Sequence, residues 1–400
     1  MSLLPLQADD PSLAQRVKDF VCDKVIPFER DPRCTAHGPS EDLRIELNAL
    51  ARQEGLLSMH VEPQWGGMGL SHAQKARVFE AAGYSTLGPV ALHCAAPDEG
   101  NMHLLSQVAT PEQQDRFLKP LASAKVRSCF AMTEPAPGAG ADPGQLATVA
   151  TWDGQGYVVH GRKWLITGAM DAGFMILMAR THRDGQDLGA TMFLVPLPHP
   201  AVRIERLLDS MDASFTGGHA EIHIEGLRLS PSDVLGETGQ GFKYAQVRLA
   251  PARLTHCMRW LGAAQRVHDV AVKHANERTA FGKAIGQHQG IGFQLADNDM
   301  DLHVARLVTQ QAARVLDQGH SASFESSRAK VIVSEALYRV ADRCVQVMGG
   351  MGLTQDTPVG QIFRELRAFR VYDGPSEVHR WSMARKILSH AQGHHPGQAR

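Results

Sequence analysis

The sequence has little net charge, no paired cysteines and no long apolar run. Forty-one Lys and Arg stand against forty-two Asp and Glu, a formal charge of −1 at pH 7. That balance offers nucleic acid or an anionic membrane no bulk field, so neither is expected as a partner. The longest strongly apolar stretch, Phe174 to Ala179, is far too short to cross a bilayer. The opening MSLLPLQADD has no basic segment ahead of an apolar one, so an unexported, cytoplasmic protein is expected. Cys22, Cys34, Cys94, Cys129, Cys257 and Cys344 contain no C-x-x-C pair. A disulfide framework, a zinc knuckle and a redox dithiol are thereby disfavoured.

Several chemistries are missing as well. There is no G-x-S-x-G elbow, no H-E-x-x-H, no Walker loop and no G-x-G-x-x-G after a strand. The glycine string Gly138 to Gly144 has the wrong last spacing and places Pro143 where a helix would have to run, so it reads as a loop. His268 and His274 share a helix without a second pair of ligands, and His394 and His395 lie in the tail, so no metal is expected.

What is present divides into helical, extended and helical thirds. Ser40 followed by Glu41 and Asp42 opens a helix that Gly55 stops. Thr110-Pro111-Glu112-Gln113 is a capping box with proline at the first helical position. From about residue 126 apolar residues fall into short runs such as Met192 to Val195, and Glu221 to Glu225 alternates with period two. Beyond Gly241 the helices lengthen, and Val333, Leu337, Val340, Cys344 and Val347 recur at spacings of four and three. The expectation is an α+β chain. Residues 1–125 form an α domain, 126–238 an antiparallel barrel or sandwich, 239–392 a four-helix bundle, and 393–400 a flexible tail.

Four strings carry the functional signal: Phe130-Ala131-Met132-Thr133-Glu134-Pro135, Lys163-Trp164-Leu165-Ile166-Thr167-Gly168, Glu277 to Lys283, and Gln346-Val347-Met348-Gly349-Gly350-Met351-Gly352. Each is weak alone. Asp373-Gly374-Pro375 reads by itself as a turn, Arg278 as a surface ion pair, and the double glycine as a helix terminator. In this order they resemble the acyl-CoA dehydrogenase family over nearly the whole chain. The stretches Arg370 to Arg380 and Ala96 to Met102 resemble the branch whose animal members carry an additional kinase-like domain.

The resemblance implies FAD as cofactor. Its ring would be contacted by Phe130, Met132, Thr133, Ile166 and Thr167. Its pyrophosphate and adenine would be held across a subunit boundary by Arg278, Phe281, Gln289, Gln346, Gly349 and Gly350, with Pro375, Ser376 and Glu377 also near the cofactor. The same resemblance makes Asp373 the base that removes the α-proton of an acyl-CoA thioester, with Arg253, Gly374 and Ala141 lining the substrate. It implies a homotetramer reoxidised by an electron-transferring flavoprotein.

The sequence departs from that family in places. Aspartate stands where the family has glutamate, about 1.5 Å shorter in reach. Ala141 replaces a serine, and Leu165 stands where many relatives have tryptophan. Glu377 replaces a glutamine. Alternatives therefore stay open: a flavin oxidase of nitroalkane oxidase or acyl-CoA oxidase type, or a non-catalytic or nucleic-acid-binding relative.

Overall fold

The computed structural model describes residues 12–391, so the readings made on the opening segment and on the tail from 393 lie outside the described residues. The chain is helical in its N-terminal part, β in its middle and helical again in its C-terminal part. It folds as two compact units. The first holds residues up to Gln74 and Ser85–Ala252, and the second holds Lys75–Tyr84 and the chain from Arg253.

In the first unit, α1 (Leu13–Phe20) and α2 (Glu41–Gln53) precede α3 (His72–Ala82), whose later turns belong to the second unit, and α4 (Asp98–Val108). Ser40 caps α2 by accepting from Leu43 N at 3.2 Å. The Thr110–Gln113 capping box forms in both directions. These caps satisfy N–H groups that a helix start leaves without partners.

Eight strands make one sheet: β1 (Ser128–Ala131), β2 (Val149–Trp152), β3 (Tyr157–Thr167), β4 (Phe174–Arg183), β5 (Gln186–Pro196), β6 (Val202–Leu207), β7 (His219–Leu229) and β8 (Val234–Leu235). Their order is β8-β5-β4-β2-β3-β7-β6, with β1 also beside β4. Most pairings are antiparallel, but β1 and β2 both run parallel to β4. The register explains this. Ala131 pairs with Leu177 and Val149 with Arg180, so β1 and β2 lie end to end along one edge of β4, in the same direction. The segment 132–148 leaves the edge between them.

In the second unit, α5 (Gly241–Glu277, from Arg253), α6 (Gln289–Asp317) and α7 (Ser323–Met348) are long, and α8 (Val359–Phe369) and α9 (Ser376–Ala391) are shorter. α7 packs against α6, α8 and α9. Its stripe Val333, Leu337, Val340, Cys344 and Val347 is buried along its length. Each of the aliphatic members contributes about 1.5–3 kcal/mol of burial.

Candidate functional site

Two groups of the residues named from sequence are built by local structure, one in each unit. In the first unit, Phe130 lies on β1, and Met132 and Thr133 lie just beyond it. The motif Ala96 to Met102 anchors that strand: Asp98 accepts from Ser128 N at 2.7 Å and Ser128 Oγ at 2.6 Å, and Asn101 Nδ2 donates to the same hydroxyl at 2.9 Å. Arg248 donates to Asn101 at 2.8 Å and sets its guanidinium 4.2 Å from the centre of the Phe130 ring.

Beyond β1 the chain is gripped by Glu134. Its carboxylate accepts from Ala139 N (3.1 Å), Ala147 N (2.6 Å), Thr148 N (2.9 Å) and Lys163 Nζ (2.7 Å), so the glycine string is a fastened loop. A Cβ on Gly138 would lie 2.4 Å from that carboxylate. Burial pushes the Glu134 carboxyl up, but the Lys163 charge and the N–H donors outweigh it and hold it down at about 2. Burial lowers the wholly covered Lys163 ammonium to about 8, against the pull of Glu134. Ala141 is exposed on this loop.

Trp164 N donates to Thr133 O at 3.0 Å, which joins β3 to the same loop. The β3–β7 register slips between Lys163 and Ile166, and there Leu165 adopts φ 56° and stays 43 % exposed. Non-glycine residues rarely adopt that conformation, and such strain gathers at functional sites. Ile166 is 1 % exposed and its side chain packs in the core beneath the sheet, so its backbone is the part that can meet a ligand. Thr167 Oγ1 lies 2.9 Å from His219 Nδ1, and His219 Nε2 lies 3.0 Å from Asp212. Arg127 fixes the end of β3 through Gly168 O at 2.9 Å and is itself held by Glu41 at 2.7 Å.

In the second unit, Asp373 sits at φ 51° on the turn before α9. Its carboxylate lies 3.2 Å from His256 Nε2, and its side chain is 20 % exposed. Its carbonyl accepts from His379 Nε2 at 3.0 Å and from Arg253 Nε at 3.4 Å. His379 Nδ1 meets Ser327 Oγ at 3.1 Å. Gly374, at φ 91°, leaves room for the His379 ring, since a Cβ there would come within 2.6 Å of Nε2. Trp260 donates through its indole N–H to the hydroxyl of Tyr372. Burial lowers His379 to about 4, helped by the Arg253 charge. Burial also lowers Arg253, against the Asp373 charge. Lys330, 0 % exposed with its ammonium 5.2 Å from the Phe369 ring centre, is lowered by burial to about 8.

The structure thus brings Arg253, Asp373 and Gly374 together, with Pro375 and Ser376 following on the same turn. His256, Trp260, Lys330, Ser327 and His379 were missed from sequence. The one available signal was the spacing of Arg253, His256 and Trp260 at i, i+3 and i+7, which an ordinary core stripe shares.

The remaining named residues lie at the surface of the second unit. Thr279–Ala280 pairs with Lys283–Ala284 around a tip of Phe281 and Gly282, and Phe281 is 95 % exposed at φ 52°. Arg278 and Gln289 are exposed beside this hairpin in sequence, and Gln346, Gly349 and Gly350 are exposed at the end of α7. No hydrogen bond or ring contact among the described residues joins the hairpin to that turn. Glu377 is 79 % exposed and faces Arg380 at 3.7 Å.

Residues 7–125, 129–227 and 239–388 match, in that order, the N-terminal, middle and C-terminal domains of the acyl-CoA dehydrogenase family. A Mycobacterium tuberculosis protein named "Probable acyl-CoA dehydrogenase FadE2" is 36% identical over 94% of both chains. The chain belongs to the acyl-CoA dehydrogenase family. It is 33% identical to acyl-CoA dehydrogenase family member 11 of Gallus gallus, of which it spans 49%. It therefore covers about half the length of that vertebrate relative. Butyryl-CoA dehydrogenase from Megasphaera elsdenii superposes with a TM-score of 0.85 at 26% identity, over 97% of this chain and 100% of that one.

As an acyl-CoA dehydrogenase family enzyme, the chain is an oxidoreductase acting on CH–CH bonds, with FAD as its cofactor. Its residues fit that group. A Cβ at Gly349 or Gly350 would meet nothing within 4 Å, which leaves space for a ligand against the backbone. The exposed Arg278 offers a fixed fork for phosphate oxygens, and Phe281 a flat apolar face.

Proposed function

We propose that this chain dehydrogenates an acyl-CoA thioester to the trans-2-enoyl-CoA, with Asp373 as the base. The observation that carries the reading is the position of its carboxylate, 3.2 Å from His256 yet 20 % exposed, on a residue whose carbonyl is bonded by Arg253 and His379. A base must be fixed in place and still reachable, and this one is both. Asp373 takes the α-proton, and the electron pair of that C–H bond becomes the new double bond as the β-hydrogen departs as hydride. When bound, FAD supplies the acceptor for that hydride. The reading gives the thioester oxygen to the backbone N–H of Asp373, which opposes the charge that develops there. It makes Phe130, Met132, Thr133, Ile166 and Thr167 the ring contacts, and Arg278, Phe281, Gln289, Gln346, Gly349, Gly350, Pro375, Ser376 and Glu377 the contacts further along FAD.

The same reading makes the enzyme a cytoplasmic homotetramer that hands its electrons to an electron-transferring flavoprotein. Self-association is supported by Phe293, Met300, Val304 and Leu307, apolar residues 46–61 % exposed that fall on one face of α6. No helix among the described residues is long and apolar enough to cross a membrane.

The test is anaerobic titration of the FAD-loaded protein with CoA esters from short to long, followed by flavin absorbance. At least one ester should bleach the flavin. Asp373→Asn should keep its flavin and lose bleaching by about 1,000-fold or more. Wild-type bleaching in that variant would remove Asp373 as the base. Rapid peroxide formation in air would favour the oxidase reading instead.

A further inference from the structure

Asp373 is a short side chain on a strained turn, so what grips it decides where its carboxylate stands. The grip comes from one face of α5. Arg253, His256 and Trp260 are spaced i, i+3 and i+7, and all three reach the Tyr372–Asp373 turn: Arg253 at the carbonyl of 373, His256 at its carboxylate, Trp260 at the hydroxyl of Tyr372. His256 is itself fixed. It is 4 % exposed, with its ring 5.0 Å from that of Tyr372 and 6.0 Å from that of Phe369.

We propose that His256 is a positioning residue for Asp373, the polar edge of its imidazole, 3.2 Å from the carboxylate, holding that side chain in one rotamer and keeping it ionised. The inference rests on the proposed role of Asp373 as base. Other ionisable groups also face the turn. Arg253 from α5 and His379 from α9 bond the carbonyl of residue 373, and the charges of Arg253 and of Lys330 from α7, which lies by the Phe369 ring, also interact with that of Asp373. Cys257 from α5 is a buried thiol pushed up to about 12 by burial. A polar N–H edge or a positive charge beside a carboxylate favours its charged form. Losing the imidazole therefore makes the base harder to ionise and less well aimed.

Two variants test this. His256→Phe keeps a flat ring without a donor, and His256→Gln keeps an N–H near the same place without an ionisable group. In the FAD-loaded enzyme, H256F should lower the limiting rate of anaerobic bleaching by about 100-fold and move the acid limb of its pH profile to higher pH. Affinity for the CoA ester should stay within about threefold. H256Q should recover most of the rate and return the acid limb towards its wild-type position. A wild-type rate with an unmoved limb in H256F overturns the proposal. So does an equal loss in both variants with the limb unmoved, which marks a purely structural role.

A second readout needs no turnover. In spectra of 15N-histidine protein, the imidazole signal missing from H256Q should titrate at lower pH in Asp373→Asn than in wild type, because a neighbouring negative charge has been removed. An unchanged titration overturns the contact. If no CoA ester bleaches wild-type flavin, the proposed function fails while this comparison still decides whether His256 stands against the Asp373 carboxylate.

Discussion

Lys163 and Glu134 are among the most covered charged side chains described, at 0 % and 4 % exposure, and they meet at 2.7 Å. Burying two charges costs desolvation that their attraction only partly offsets. The pair is tolerated because Glu134 also collects three backbone N–H groups and so closes the loop between β1 and β2. Lys163→Met should leave that carboxylate buried without its counter-charge, at about 3–5 kcal/mol of stability. Urea denaturation measures this, and an unchanged midpoint would mean that the loop is held by something else. Neither residue announced this role in the sequence, where both stood inside motifs read for the cofactor. Asp373 was legible through the resemblance alone, since Asp-Gly-Pro is an ordinary turn. Lys330 and His379 carried no legible signal and His256 only a spacing that any core stripe shares, because their importance lies in contacts far along the chain, 52 residues for His379 and 117 for His256, or in burial itself.

At the scale of elements, the position of the α5 stripe depends on how closely α5 approaches the end of α3 in the second unit. An added Cβ on Gly262 would lie 1.9 Å from Glu80 O, and one on Gly83 would lie 1.8 Å from Arg259 O. Backbone stands against backbone there, and no rotamer change relieves a clash with a carbonyl. Gly262→Ala should therefore cost about 3 kcal/mol or more, beyond the usual range for overpacking by one methyl. It should also slow flavin bleaching, because Arg253, His256 and Trp260 ride on the displaced helix. Wild-type stability and rate together would show that the helices separate without consequence. The stripe on α7 and the caps at Ser40 and Thr110 were readable in advance, since period and capping chemistry are local. The parallel setting of β1 and β2 was not, since short apolar runs carry no record of their neighbours' direction.

For the whole molecule, buried histidines set how folding responds to acid. Burial lowers His93 and His268, and lowers His379 to about 4 from 6.5. In the unfolded chain these imidazoles take up protons near pH 6.5, while in the folded chain they do so only further down. Between those limits the unfolded state binds more protons, so stability falls as pH drops from about 6.5 towards 4. His379 contributes on the order of 2 kcal/mol to that loss. Melting temperature should decline steadily from pH 7 to pH 5, and His379→Gln should flatten the slope. A wild-type slope in that variant would mean that the ring accepts a proton in place.

By itself the sequence determined the run of helices, strands and helices, the caps, the apolar stripe of α7 and, through four motifs, the family. All of these are written in neighbouring residues or in short periodic spacings. Tertiary structure alone decided that Glu134 fastens a loop, that two unremarkable glycines let helices touch, and that a histidine 117 positions before the base stands beside its carboxylate. Those outcomes depend on distances between segments that meet only after folding, and hydrogen bonds, buried charge and steric contact act over a few ångströms of space, whatever the separation along the chain.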